Sequence, residues 1–397
     1  MKAIAKHSSC FIIAALYMLF LSGCDHTAGS GFPPTARLGE DQTSHVGQYV
    51  ILDGTASTAG VGGVIEMWDW YFDDNTPDYK LIQSGDSNST YEVGFIEEGV
   101  YTFYLKVTNN FGLESDLVST MVTVLPREDC IFEDVNLELK ARKYWRLPSE
   151  DLTTSILQAK DSLRLAGIRF AVRVVSFAGL EYCVNLEYLS AGHERVVDLS
   201  PLTNLTKLKE LSLTQHHTFS DISPLAGMTE MRELDLDGNL ITDISPLAGM
   251  TKLEYLRLDY SPVADISALA NMIELREVYF IAGTFADISP ISGLENLEIL
   301  QAFDCKIEDI PLLDNLVNLI HLRLLHNNIT DISSLKNVIS LKAVELGYNQ
   351  IEDILPLVEN SGIGNGDYVD LSGNPLNEQS VNEYIPALQN RGVNVSY

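Results

Sequence analysis

The chain has 397 residues, 46% of them hydrophobic, with 26 Lys and Arg against 55 Asp and Glu and a formal net charge of −29. That length allows more than one buried core, and that acidity excludes nucleic acid or an anionic lipid surface as the main partner, since both need a basic face. With 27 Gly and 14 Pro, the composition also excludes wholesale disorder.

The first segment has the layout of an export signal. Lys2 and Lys6 precede an apolar run, Phe11–Phe20, that is too short to span a bilayer as a helix. It ends in Leu21-Ser22-Gly23-Cys24, which resembles the lipobox of bacterial lipoproteins. The resemblance implies that residues 1–23 are removed as a signal peptide and that the Cys24 thiol takes a diacylglycerol. The protein is then expected to be exported and lipid-anchored to the bacterial cell envelope, with apolar burial of about 0.8 kcal/mol per CH₂ holding it. Asp25 resembles an inner-membrane retention signal of enteric bacteria, so the outer membrane or cell surface and the periplasmic face of the inner membrane both stay open. Residues 24–35 are small and turn-rich and read as a flexible tether.

Strand-like runs follow, bounded by turn signals: "QYVIL", "MWDWYF", "TYEVGF", "VYTFYLKVT" and "VSTMVTVL". Tyr101, Phe103, Leu105 and Val107 alternate with polar neighbours, the period of a half-buried antiparallel strand. "LDGTAST" (Leu52–Thr58), "WYFDD" (Trp70–Asp74) and "GVYTFYLKVTNNFG" (Gly99–Gly112) resemble PKD domains, an Ig-like family of extracellular modules. The resemblance implies an all-β sandwich over 36–126. Asp73 stands where the family's tryptophan motif carries glycine. Asp69, Asp73, Asp74 and Asp78 read as turn formers and solvated acids, with no metal or cofactor expected.

From residue 127 onward the chain is a repeat array. Asp198, Asp221, Asp243, Asp265, Asp287, Asp309, Asp331 and Asp353 recur at a spacing of 23 once and then 22 six times, the mark of a solenoid. The unit L-x-x-L-x-L-x-x-N-x-I-x-D-I-S-P-L resembles internalin-like leucine-rich repeats of 22 residues. That resemblance implies an α/β solenoid with a parallel β-sheet on its concave face, and a multidomain chain overall. The expected organisation is a helical N-terminal cap at 127–170, repeats over 171–374 with Ser176 at the first Asp position, and a C-terminal cap at 375–397. "DISPLAGMT" occurs at Asp221–Thr229 and again at Asp243–Thr251. Each of its residues has a structural job: Asp and Ser cap, Pro224 and Pro246 open a helical turn, Gly227 and Gly249 permit its exit. Asn239, Asn327, Asn349 and Asn374 hold the ladder position, replaced by His216, Ser261, Gly283 and Cys305 in between, which predicts a looser middle of the array.

The free positions are the outward side chains of each strand. Strands stack about 4.8 Å apart, so Tyr255, Arg257, Tyr260, Tyr279, Ile281, Phe303, His321, Arg323, Leu325 and Tyr348 form one strip of the residue types that protein-binding hot spots favour. No phosphate loop, G-x-S-x-G or H-E-x-x-H motif is present, so the protein is read as no enzyme and as needing no cofactor. Of the five cysteines, Cys130, Cys183 and Cys305 remain in the mature chain, and Cys183 reads as a buried core thiol ahead of a Cys130–Cys183 bridge. The leading reading is a non-enzymatic envelope lipoprotein that binds a host or envelope protein through the concave face, for adhesion or cell-surface recognition. Glycan or cell-wall polysaccharide binding and a structural envelope scaffold are the alternatives.

Overall fold

A computed structural model describes residues 32–73, 80–127, 131–165 and 173–397. The signal segment 1–23, Cys24, Asp74, Asp78 and Cys130 lie outside the described residues. Contacts divide the chain into two units, each considered by itself.

The first unit is built on period-two strands. A sheet of β1 (Gln42–His45), β3 (Ile65–Phe72), β4 (Lys80–Gly85), β6 (Gly99–Asn109) and β7 (Val118–Leu125) runs in the order β1-β7-β6-β3-β4, with the pair β2 (Tyr49–Asp53) and β5 (Thr90–Gly94) forming the second sheet. Every pairing is antiparallel except β1 with β7. The alternation of β6 buries Phe103, Leu105 and Val107 beside Leu52, Trp70, Phe95 and Val122. Trp70 is fully buried, yet its indole N–H donates to the Asn88 carbonyl at 2.8 Å, so no polar atom is stranded. Gly54 of the "LDGTAST" stretch is required sterically, because a Cβ there would lie 2.6 Å from Leu105 Cδ2. Contacts also place Glu138–Asp151 in this unit, including most of α1 (Val135–Trp145). There Glu138 accepts from Arg127 and Arg142, both at 2.8 Å.

The second unit holds α2 (Thr154–Gln158) and one sheet of eleven parallel strands in chain order. They are β8 (Ser162–Arg164), β9 (Tyr188–Ser190), β10 (Glu210–Ser212), β11 (Glu233–Asp235), β12 (Tyr255–Arg257), β13 (Glu277–Ile281), β14 (Ile299–Phe303), β15 (His321–Arg323), β16 (Ala343–Glu345), β17 (Tyr368–Asp370) and β18 (Asn394–Ser396). The register follows the sequence period: Leu234 pairs Leu256, which pairs Val278. The coil closed by α3 (Leu355–Glu359) is three residues longer, and Ala343 pairs Tyr368. After a wide turn at Ser380–Tyr384, α4 (Ile385–Asn390) and then β18 end the sheet.

The repeating aspartates cap the turns on the far side of the coil. Asp198, Asp221, Asp243, Asp265, Asp287, Asp331 and Asp353 each accept the backbone N–H two residues on at 2.7–2.9 Å. Those bonds hold the carboxyls of Asp221, Asp243 and Asp287 below the usual range. Ser176 does the same with its hydroxyl, accepting from Ala178 N–H at 3.1 Å. Asp309 makes no such bond, since Pro311 has no N–H to give, and no 3-10 turn follows it. Gly227 and Gly249 are not required, in contrast to the sequence reading: a Cβ at either would meet only ordinary contacts at 3.8 Å.

At the ladder position, Asn327 shows the full set of bonds. Its Nδ2 donates to Ala302 O and Leu324 O, while Oδ1 accepts from the N–H groups of Cys305 and Ile307. His216 takes over the donor half, its Nε2 bonding Ala191 O across the same 25-residue separation. Gly283 leaves room for a ring: Phe285 packs edge-on against Phe280, and a Cβ at 283 would lie 2.6 Å from Phe285. Cys305 and Cys183 are buried free thiols, both pushed up to about 12 by burial. Just before each strand, charges pair between coils as Lys209–Glu187, Arg232–Glu254 and Arg276–Glu298.

Burial lowers the His216 pKa to about 4, whereas an unfolded histidine titrates near 6.5. The unfolded chain therefore binds the extra proton first, and stability falls as pH drops from 6.5 to 4, by roughly 3 kcal/mol in all. His216→Asn, which can still make the ladder bond, is expected to flatten that slope in denaturation series across this range. An unchanged slope would remove His216 as its cause.

Candidate functional site

Alternation along each short strand sends one side chain to the core and its two neighbours to the opposite face of the sheet. In β12, Leu256 is buried while Tyr255 and Arg257 face out. In-register pairing then stacks the outward residues into columns. One runs Tyr188, Glu210, Glu233, Tyr255, Glu277, Ile299, His321; the next runs Ser190, Ser212, Asp235, Arg257, Tyr279, Gln301, Arg323, Glu345. Two regions of different chemistry result.

From β13 to β16 the face carries rings and apolar groups. Ile281 pairs Phe303, with Leu325 half-buried beyond them. The Phe303 and His326 rings lie 4.9 Å apart, and His326 stacks on Tyr348 at 4.4 Å with 10° between planes. His326 thus joins this strip. His321 stands in the strand column between Ile299 and Ala343, partly exposed. Tyr255 and Tyr279 bring their rings within 5.5 Å and connect this region to the next. The Tyr279 hydroxyl donates to Glu277 at 2.7 Å, and burial raises its pKa as well as that of Tyr255, the latter to about 12.

From β9 to β12 the face is acidic. Glu210, Glu233 and Asp235 line an open concavity with Tyr188 and Tyr255 at its sides. Counting one outward position further back in the repeat reveals Glu210 and Glu233, which the sequence reading passed over. Burial pushes the Asp235 and Asp259 carboxyls up. The two candidate arginines are engaged within the chain: Arg257 Nε donates to Asp259 at 2.6 Å and Arg323 Nε to Glu345 at 2.8 Å. Neither is an uncommitted cation.

Just after the strands, a whole column adopts left-handed backbone. Gly238 and Gly373 suit it, but Gln215, Tyr260, Ala282, Asp304, His326 and Tyr348 hold φ between 55° and 60° as well. A non-glycine residue there costs about 1–2 kcal/mol. The turn recurs from Gln215 to Gly373 and so belongs to the repeat, and Tyr260 and Tyr348 on it stand 58% and 54% exposed. Among the described residues no group of three or more His, Cys, Asp and Glu is arranged to hold a metal ion. No helix among them is long and apolar enough to cross a membrane.

The family model for the PKD domain matches residues 32–124, and the model for leucine-rich repeats in two copies matches 229–271. Among curated protein sequences, none matches this chain. Among solved structures, an internalin from Listeria monocytogenes is 29% identical, with 67% of this chain and 92% of that one covered and a TM-score of 0.52. A second internalin of the same organism, internalin C2, is also 29% identical over 58% of this chain and 92% of its own, with a TM-score of 0.46. A leucine-rich-repeat protein of Leptospira interrogans is 17% identical over 63% of this chain and 70% of its own, with a TM-score of 0.51. It shows the fold alone. Leucine-rich repeats and PKD domains are binding modules, and no enzyme family is indicated.

The two arginine pairs differ in depth, which sets a test. Asp259 is buried and Glu345 is not, so Arg257→Ala strands a buried carboxylate and should cost about 2 kcal/mol. Arg323→Ala should cost less than about 1 kcal/mol. Urea denaturation of both variants checks this, and Arg257→Ala/Asp259→Asn should recover most of the loss. Equal costs for the two arginines would contradict the assignment.

Proposed function

From a PKD domain joined to an internalin-like repeat domain, we propose that this protein is a non-enzymatic, lipid-anchored envelope protein that binds a protein partner through the solvent face of its eleven-stranded sheet. The observation that carries the reading is the ring strip of Phe303, His326 and Tyr348, continued by Tyr255 and Tyr279. Core needs do not call for these rings, Tyr348 stands 54% exposed, and aromatic side chains are the usual anchors of protein interfaces. Adhesion or cell-surface recognition of a host or envelope protein fits such a face. The lipobox-like Leu21-Ser22-Gly23-Cys24 supports anchoring through Cys24.

A second reading, glycan or cell-wall polysaccharide binding, draws on the same rings, which could stack on sugars. The two separate experimentally. Immobilised protein is expected to retain a partner from host or envelope extracts, and Tyr279→Ala/Phe303→Ala/Tyr348→Ala to lose it with an unchanged circular-dichroism spectrum. Undiminished retention by the triple variant would rule out this face. Binding to a glycan array that free sugar competes away would favour the second reading. For the anchor, Cys24→Ser is expected to abolish incorporation of labelled fatty acid and shift the protein from the membrane to the soluble fraction. Continued membrane fractionation would contradict lipidation.

A further inference from the structure

We infer that the acidic end of this face receives a cationic segment of the protein partner, its Lys or Arg side chains entering the concavity over Glu210, Glu233 and Asp235. Apolar side chains of the same segment would lie on the ring strip. The inference rests on the partner-binding reading above and specifies the chemistry of what is bound.

Charge is handled in opposite ways at neighbouring positions of the same strands. One residue before each strand, Lys209 and Arg232 pair with Glu187 and Glu254 on adjacent coils. At the next position, Glu210 and Glu233 face each other in register with no cation between them. Like charges directly opposite across strands are destabilising. Burial raises the Glu233 pKa, and the charges of Glu210, Glu254 and Glu277 raise it further. Along the two outward columns from β9 to β12 the sole cation is Arg257, already donated to Asp259.

The next outward position adds two more carboxylates. Asp237 and Asp259 are 8% and 1% exposed; Oδ2 accepts from Gln215 Nε2 at 2.7 Å in the first and from Arg257 Nε at 2.6 Å in the second, and Oδ1 of each has no hydrogen-bond partner. The Asp237 N–H donates to Asp235, a residue that lines the concavity, at 3.1 Å. An unmade bond at a buried carboxylate is costly, and a cation held in the adjoining concavity offsets the charge that these groups leave uncompensated. A resident metal is not indicated, since no cluster of ligands among the described residues is arranged for one. A cation carried on a flexible stem suits the open shape, and the aromatic Tyr188 and Tyr255 that also line it are neighbours of the kind a cation favours. A polypeptide is favoured over a free polyamine by continuity: the Tyr255–Tyr279 contact joins the acidic and apolar regions into one track.

The test titrates the full chain with a synthetic peptide of repeated Lys-Leu-Gly units and its uncharged Gln-Leu-Gly counterpart at physiological salt. The Lys peptide is expected to bind at least about tenfold tighter, and Glu233→Gln/Asp235→Asn to remove most of that preference. Glu274→Gln/Glu295→Gln, in connecting turns outside the sheet, changes net charge equally and should alter binding by less than about twofold. The Glu233→Gln/Asp235→Asn variant should melt at or above the wild-type temperature, because it relieves repulsion; a lower melting temperature would assign these carboxylates to stability and overturn the inference. So would equal losses in both double variants, equal binding of both peptides, or Ca²⁺ displacing the peptide through the same two residues. Phe303→Ala/Tyr348→Ala separates the two levels of failure. Binding that needs the rings but not the acids overturns the cation and leaves the sheet face standing, while binding that needs neither overturns both.

Discussion

A 22-residue coil has no interior of its own, and everything else in the repeat unit follows from that. Leu256 and Leu258 are fully buried because a neighbouring coil covers each side, and burial of that kind is what offsets the cost of ordering the chain. Stacking in turn demands an invariant register, so any residue that sets register is constrained to repeat. The capping aspartates fix where each turn begins, the strand leucines fix depth, and the Arg232–Glu254 and Arg276–Glu298 pairs join adjacent coils at the strand entrance. These pairs are exposed and individually weak. Their role is specificity of register more than stability.

The ladder position shows that the requirement is a hydrogen bond rather than an asparagine. His216 reaches the carbonyl that an asparagine amide would reach, at the cost of a ring nitrogen, Nδ1, without a partner. Around Gly283 the array changes strategy, trading a polar bridge for the Phe280–Phe285 contact. Asn327 then serves backward, holding the N–H groups of Cys305 and Ile307 in the coil that lacks its own asparagine. The expected loosening of the middle is therefore met by different chemistry at each coil. Aromatic packing and amide bridging solve the same problem of filling the interior without stranding backbone groups.

Architecture was legible because periodicity carries it. The aspartate spacing located every coil from Asp198 to Asp353, and the alternation in Gly99–Asn109 located the central sandwich strand. What escaped were properties that depend on depth. Arg257 ends its strand and Asp259 stands two residues on, and only the fold shows Asp259 to be buried and Arg257 committed to it. His326 shares its place in the coil with Tyr260 and Tyr348, yet only the fold shows its ring set between Phe303 and Tyr348. The glycines of "DISPLAGMT" were overweighted. A residue that repeats looks required, but at Gly227 the backbone is ordinary and the space is open.

The sheet face differs from the rest of the solenoid in what it tolerates. It carries costs of its own: facing glutamates at Glu210 and Glu233, a carboxylate oxygen without a partner at each of Asp237 and Asp259, and non-glycine residues on left-handed backbone at Tyr260 and Tyr348. In a linear array each coil is held by its two neighbours, so a local penalty of about 1–2 kcal/mol is spread over the stack instead of unfolding one coil. Such penalties persist where something outside the chain repays them on binding, as a cation does for a crowded carboxylate and an apolar side chain does for an exposed ring. Crowded carboxylates and exposed rings, which the repeat does not need, lie together on one face. That coincidence is the physical argument for recognition there.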